Sequence, residues 1–356
     1  MTSVGRKALR VGLIGYGLAG RVFHAPLVST TDGLELAAIV TANPARAAAA
    51  HADHPGAAVL ATAEALWAIG RDLDLVVVAT PNRHHGVLAM AALGAGLPVV
   101  IDKPMAPTAA EGRAIIGEAR RLGLPISVFQ NRRWDGDFLT VLRLVESGEL
   151  GPVRRFESRF ERWQPKIETG WRESGTDGDA GGVLFDLGPH LIDQAVRLLG
   201  PATVAYAEVG RHRPSVEVDD DAFVALEHAS GARSHLWMGA AVPQLGPRLR
   251  VLGERAGYTK YGLDVQEDSL AAGGRPGDPG FGEDPPERWG LVGAEGDLRP
   301  LRTERGRYEA YYAGVVVALR DGAPMPVDAA DSVAVLELIE AAHRLASGGT
   351  PPRYSE

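Results

Sequence analysis

Lysine is scarce in this chain: Lys7, Lys103, Lys166 and Lys260 are the only lysines among 37 basic residues. Where arginine has replaced lysine almost throughout, a retained lysine is a candidate for work a guanidinium cannot do, such as releasing a proton. Lys103 stands out because it follows the apolar run Val99 to Ile101 and precedes Pro104. That places it at the carboxyl end of a strand, where ligands bind in doubly wound sheets. A second chemistry-bearing pattern is Asp186-x-x-x-His190, with Pro189 able to start a helix and Gly200 able to end it. A helix N-terminus favours neutral imidazole, the form a base requires. Asp186 shares the histidine's face if the helical turn already begins there, and could orient the ring or bond a substrate. Asp193, one turn further on, could equally be a structural salt-bridge partner.

Gly15-Tyr16-Gly17-Leu18-Ala19-Gly20 sits between a strand-like and a helix-like stretch, the context a dinucleotide-binding turn demands. Gly15 permits the tight turn, Gly17 lets the backbone approach a pyrophosphate, and Gly20 allows close packing of helix on strand. The acid that would hold a ribose hydroxyl after the second strand is missing; the chain reads Val40-Thr41-Ala42-Asn43-Pro44-Ala45-Arg46. Thr41 or Asn43 could meet a ribose hydroxyl or a phosphate there. Arg46 is either a solvated helix residue or a partner for the 2′-phosphate of NADP, so the cofactor is NAD or NADP, leaning to NADP. With a nicotinamide in place, oxidising a secondary alcohol needs a base for the hydroxyl proton while hydride leaves the same carbon. Lys103 and His190 suit that task.

The elements that must position these groups alternate. Leu9 to Ile14, Leu34 to Val40, Leu73 to Thr80, Val99 to Ile101 and Ile126 to Phe129 read as strands. Helical stretches separate them, including Ala109 to Leu122 with Gly123 as its stop. This rhythm predicts an α/β Rossmann domain, a doubly wound parallel sheet, over residues 1–129. From residue 130 onward come a helix at Phe138 to Ser147 and short alternating strands: Val153 to Arg162, Thr203 to Gly210, Ala222 to His228, Ala232 to Ala240 and Arg248 to Leu252. They predict an α+β domain over 130–356 with a large, mostly antiparallel open sheet and a closing helix at 332–346.

Composition excludes several classes. The 356 residues carry a formal charge of −8, with no basic footprint for nucleic acid. Without cysteine there is no disulfide, thiolate metal site or cysteine nucleophile. The leading residues lack the apolar stretch of a secretory signal, and no apolar run approaches membrane length, so a cytoplasmic protein is expected. No metal is expected: Asp219-Asp220-Asp221 reads as a solvated turn, and His84-His85 lacks further ligands.

The chain resembles the Gfo/Idh/MocA family of oxidoreductases. The resemblance runs through the glycine turn, Ala79-Thr80-Pro81-Asn82 followed by His85, Asp102-Lys103-Pro104, and Gly181-Gly182 leading to Asp186, His190 and Asp193. Phe23-His-Ala-Pro-Leu27, Asn131-Arg-Arg-Trp-Asp135 and Lys260-Tyr-Gly262 look like the scyllo-inositol dehydrogenase subgroup. The usual Glu-Lys-Pro is here Asp-Lys-Pro, which shortens one carboxylate and leaves the lysine in place. The resemblance implies that His190 takes the proton, Lys103 holds and polarises the oxygen, and Asp186 supports both. It implies cofactor contacts from Gly15, Tyr16, Gly17, Leu18, Ala19, Thr80, Pro81, Asn82, His85, Asp102 and Lys103, beside Thr41 and Arg46. Lys103, Asp186 and His190 would also touch substrate, with Asn131, Arg132, Trp163, Trp171 and Arg172 as candidates for the wall of a polyol or sugar pocket. The function implied is an NAD(P)-dependent dehydrogenase of a cyclic polyol, inositol-like, working as a homodimer or homotetramer. A ketosugar or aldehyde reductase, or a catalytically silent dinucleotide sensor, are the alternatives.

Overall fold

A computed structural model describes residues 7–167, 173 and 180–348. The chain divides into two compact units: Met1–Asn131 with Gln266–Phe281 and Arg307–Val333, and Arg132–Val265 with Gly282–Gly306 and Ala334–Glu356. The first unit thus takes in two later segments that a single cut of the sequence near 129 assigns to the second.

In the first unit, strands β1 (Leu9–Ile14), β2 (Leu34–Val40), β3 (Ala58–Leu60), β4 (Leu75–Val78), β5 (Val99–Asp102) and β6 (Ile126–Phe129) form a sheet in the order β3-β2-β1-β4-β5-β6. All its pairings are parallel. Such a sheet is covered on both faces, hence apolar runs with no alternation: Leu75, Val76, Val77 and Val78 are all fully buried. The connecting helices are α1 (Ala25–Thr30), α2 (Pro44–Asp53), α3 (Ala63–Ala68), α4 (His85–Gly94) and α5 (Ala109–Leu122). Side chains and glycine set their ends: Thr108 accepts from the Glu111 amide, and Gly123 closes α5 at φ 67°.

The second unit contributes α6 (Gly136–Glu146), β7 (Val153–Glu161), α7 (Val183–Asp186), α8 (Gly188–Leu199), β8 (Ala202–Gly210), β9 (Asp221–His228), β10 (Arg233–Gly239), β11 (Leu249–Gly253) and β12 (Gly257–Lys260). Helix α9 (Gln266–Ala271) belongs to the first unit, and β13 (Gly290–Ala294) and β14 (Asp297–Leu301) return to the second. The sheet order is β14-β13-β12-β11-β7-β10-β9-β8, antiparallel throughout except for β7 beside β10. Residues alternate in and out along β9 and β10, so one face is apolar. There Phe156, Phe160, Val224, Leu236 and Met238 meet Leu184, Leu191 and Ile192 of α7 and α8 and Leu187 between them. That contact seats the helical run carrying Asp186 and His190. Both expected architectures are found, and the closing helix begins earlier than residue 332, as α11 (Ala329–Ala346).

Helix α10 (Glu309–Asp321) joins the first unit through rings, with Tyr311 and Tyr312 at 5.0 and 5.9 Å from Phe129 at the end of β6. Ser127 of β6 also donates to the Val327 carbonyl at 2.8 Å. These bonds bring a segment distant in sequence onto the sheet's edge strand.

The glycine turn gives a sharp test of this packing. Gly15 has φ +103°, and a Cβ there would lie 2.3 Å from the Ala79 carbonyl oxygen. Gly117, exposed within α5, has nothing within 4 Å of the same position. In chemical denaturation Gly15→Ala is expected to cost at least about 3 kcal/mol, whereas Gly117→Ala should stabilise by about 0.5–1 kcal/mol.

Candidate active site

The carboxyl ends of β1, β2, β4 and β5 share one edge of a parallel sheet, so everything following them is offered to a ligand. After β1 the chain turns at Gly15, and a Cβ at Gly20 would lie 2.0 Å from the Gly15 carbonyl oxygen. Gly17 differs: the nearest atom to its missing Cβ is Arg46 Nη1 at 3.8 Å, and Leu18 beside it is exposed. The turn is closed behind and open in front, which fits a pyrophosphate seated against its amides. Ala19 opens a wide helical turn, Ala19–His24. The Tyr16 side chain points inward; its hydroxyl donates to Asp53 at 2.9 Å, and burial together with that carboxylate raises its pKa.

After β2, Asn43 caps α2 by accepting from the Arg46 amide at 3.0 Å, and its own amide faces Thr41 Oγ1 at 3.4 Å. The Arg46 side chain is exposed and has no carboxylate partner among the described residues. After β4 come Thr80, Pro81 and the buried Asn82. His85 is fully buried, with Nδ1 at 2.8 Å from the Pro104 carbonyl and Nε2 at 2.8 Å from the Thr80 carbonyl. Its ring stands between the loop after β4 and the loop after β5, donating to one carbonyl when neutral and to both only when protonated; burial lowers its pKa against the opposing pull of Asp102. Asp102 ends β5, with Lys103 and a cis Lys103–Pro104 peptide next. Burial alone would raise the Asp102 pKa, yet the His24 imidazole facing it and the Lys103 ammonium next to it hold it below the usual carboxylate range.

In the second unit the helical turn does begin before Gly188. The Leu187 amide donates to Val183 and the His190 amide to Leu187, so α7 runs into α8. Helix α8 has Pro189 in its first turn and Gly200 at its end, as expected, and a short helix precedes it whose leading amides, Val183 and Leu184, are both taken by Asp219, one through its carbonyl at 2.9 Å and one through Oδ2 at 2.7 Å. Asp219 and Asp220 are buried, and Asp220 accepts from the His212 and Arg213 amides. The solvated turn expected at 219–221 is therefore replaced by two carboxylates spent on unpaired backbone donors. Gly182 lets Asp219 in, since a Cβ there would lie 2.0 Å from its Oδ1.

His190 is buried, with the Phe160 ring stacked at 6.3 Å and 25°. The guanidinium carbons of Arg132 and Arg162 stand 4.6 and 4.8 Å from the centre of Phe160. Arg133 grips Asp193 through two bonds of 2.8 and 2.6 Å, and Gln194 donates to the Arg132 carbonyl at 2.8 Å. Two consecutive residues thus anchor the middle of α8. Asn131, ending the first unit, is buried; Trp163 is mostly exposed and bridges to Ala241; Trp171 and Arg172 lie outside the described residues. Sequence reasoning missed Phe160, Arg162 and the cap at Asp219. Among the described residues no three or more of His, Asp and Glu gather as metal ligands, and no helix is long and apolar enough to cross a membrane.

Family models match most of the chain. The description "Oxidoreductase family, NAD-binding Rossmann fold" covers residues 9–130, and "Oxidoreductase family, C-terminal alpha/beta domain" covers 143–353. The chain is 36% identical to scyllo-inositol 2-dehydrogenase (NADP(+)) IolW of Bacillus subtilis, over 94% of this chain and 92% of that protein. It is 40% identical to the uncharacterized oxidoreductase YdgJ of Escherichia coli, over 93% and 94%. The solved structure of Bacillus subtilis yvaA superposes with a TM-score of 0.88 at 35% identity, covering 96% of each chain.

The Asp219 cap makes stability depend on pH. Burial raises its pKa despite the Leu184 amide and the nearby His343. Stability linked to its proton is present below the ordinary carboxylate value of about 3.9 and is lost as pH rises through the folded value. Asp219→Asn keeps an acceptor and should flatten that slope in thermal melts taken across pH, at a cost below about 1 kcal/mol. Asp219→Ala should cost about 1–2 kcal/mol.

Proposed function

We propose, for a chain that belongs to the Gfo/Idh/MocA family of oxidoreductases, that it is an NADP-preferring dehydrogenase acting on a secondary alcohol of a cyclic polyol, inositol-like in size and polarity. One observation carries the reading: within the first unit, Lys103 stands at the carboxyl end of β5, on the same sheet edge as the open Gly17 turn. The likeness to a scyllo-inositol 2-dehydrogenase along nearly the whole chain supports the substrate class.

The turn from Gly15 to Ala19, the loop Thr80-Pro81-Asn82, Asp102 and Lys103 would hold the dinucleotide, whose nicotinamide accepts the hydride when bound. His190 takes the hydroxyl proton as general base, and its ring is held for that work by Phe160 and by the anchored helix. The ammonium of Lys103 holds the substrate oxygen, polarising it as charge develops. Asp186, ending α7, supports both by orienting the substrate hydroxyl. Arg46 binds the 2′-phosphate: it lies against Gly17, lacks a carboxylate partner among the described residues, and follows a strand after which Thr41 stands where an acid would repel that phosphate.

Purified protein mixed with NADP and a panel of inositols, aldoses and polyols should reduce the cofactor with scyllo- or myo-inositol. Lys103→Ala and His190→Ala should each lower kcat by about 10²–10⁴-fold, and His190→Ala should do so while dinucleotide affinity, read by fluorescence titration, stays within about twofold. Dinucleotide binding without turnover of any alcohol would leave the sensor alternative standing. Separately, Arg46→Ala should raise KM for NADP at least about tenfold and leave NAD unaffected, because a charge-assisted hydrogen bond is worth about 1.5–3 kcal/mol. Equal losses with both cofactors would remove the 2′-phosphate assignment.

A further inference from the structure

Behind Lys103, and joined to Asp102, lie two buried polar groups that the proposed chemistry does not use. His24, fully buried, has Nδ1 at 2.6 Å from the Tyr312 hydroxyl and Nε2 at 3.5 Å from Asp102 Oδ1. The Phe129 ring covers the imidazole at 4.4 Å. All four residues belong to the first unit, although His24 and Tyr312 are 288 positions apart. We propose that Tyr312, His24 and Asp102 form a positioning triad for Lys103, in which the tyrosine hydroxyl fixes the histidine tautomer and the histidine Nε2–H anchors the carboxylate preceding the lysine.

The direction of the chain follows from what each atom can do. If Nδ1 carried the proton of a neutral imidazole, the Nε2 lone pair would face a carboxylate oxygen across a buried gap, which is repulsive. If Tyr312 donates instead, Nδ1 accepts and Nε2–H points at Asp102, so every contact is favourable. Burial, with Tyr311 and Asp102 nearby, raises the Tyr312 pKa strongly and keeps its proton available to donate. The triad also accounts for Asp in place of the family's Glu before Lys103: a shorter carboxylate at the end of β5 is met by an imidazole reaching it from the helical turn below. His85 completes the support from the other side by holding the Pro104 carbonyl. Tyr312 and His24 are positioning residues, since they act through Asp102.

The inference rests on the dehydrogenase reading for its kinetic arm only. In ¹⁵N-labelled protein, two-bond proton–nitrogen correlations should show His24 protonated at Nε2 and bare at Nδ1, the signal being assigned by its loss in His24→Gln. In turnover assays His24→Leu should lower kcat about tenfold or more, the scale of one hydrogen bond to a charged group, with KM for the dinucleotide within about twofold. His24→Gln retains an N–H able to face Asp102 and should recover kcat to within about threefold of the native enzyme. A His24 protonated at Nδ1 alone, an unchanged kcat in His24→Leu, or a glutamine variant as slow as the leucine variant would each overturn the triad. If the native protein oxidises no alcohol, the dehydrogenase reading fails on its own, and the tautomer still decides the triad.

Discussion

The backbone of the turn after β1 lies so close to the Ala79 carbonyl that residue 15 has no room for a side chain. The rest of the first unit follows from that approach. Strands β1 and β4 pair in parallel at the centre of the sheet, so their carboxyl ends and the loops after them emerge side by side. Gly20 must then sit against the Gly15 carbonyl, which starts the helical turn under the phosphate position and delivers His24 beneath Asp102. The ligand edge, the proposed phosphate turn and the proposed support for Lys103 all descend from one backbone contact. Each glycine has its own reason: Gly15 and Gly20 are required by collision, Gly17 by what must come near it.

The second unit is governed by buried charge. Arg132 and Arg248 face Asp135 and Asp137 with almost no exposure, at separations of 3.5–3.9 Å. Burial, opposed by Arg132 and reinforced by Asp264 and Asp137, drives the Asp135 pKa well above the carboxylate range. Such networks are weak contributors to net stability, because desolvation offsets attraction, but removing one partner strands another charge. Their benefit here is geometric. Arg248 bonds Ser158 on β7 and Gln194 on α8, and Gln194 in turn bonds the Arg132 carbonyl, so sheet, helix and the turn at 131–134 share one set of bonds. An apolar core alone would let α8 slide along the sheet; this network fixes its rotation and thus the face on which His190 sits.

Local signals were legible in the sequence wherever punctuation was local. Leu9–Ile14, Leu34–Val40, Ala109–Leu122 and Ile126–Phe129 have the ends that composition and caps indicate. Strand β3 has three residues, and β13 and β14 carry glycine or proline within them, so neither length nor alternation marks them. Helix α10, with Val315, Val316 and Val317 at its centre, has a β-rich composition that its packing overrides. The residues proposed to carry the chemistry, Lys103 and His190, announce themselves by type and neighbours. Their supports do not: Asp219 caps a helix 35 positions away, and its three-carboxylate context looks solvated until the empty side of Gly182 is seen beside it. Long-range partners leave no spacing to read.

Net charge illustrates the same separation of scales. A chain of formal charge −8 has no general attraction for a dinucleotide that is itself an anion. At physiological salt, however, exposed charges more than about 8 Å apart are largely screened, so the average over the surface says little about one turn. What a phosphate meets at Gly17 is a set of helix-initiating amides and one exposed guanidinium. Both lie within a screening length, and neither competes with a nearby carboxylate, since Asp53 is already held by Tyr16 and Arg21. An acidic residue in place of Thr41 would reverse that local balance without altering the fold. On the proposed reading, cofactor choice in this chain is a property of the few residues after β2, independent of the charge that governs solubility.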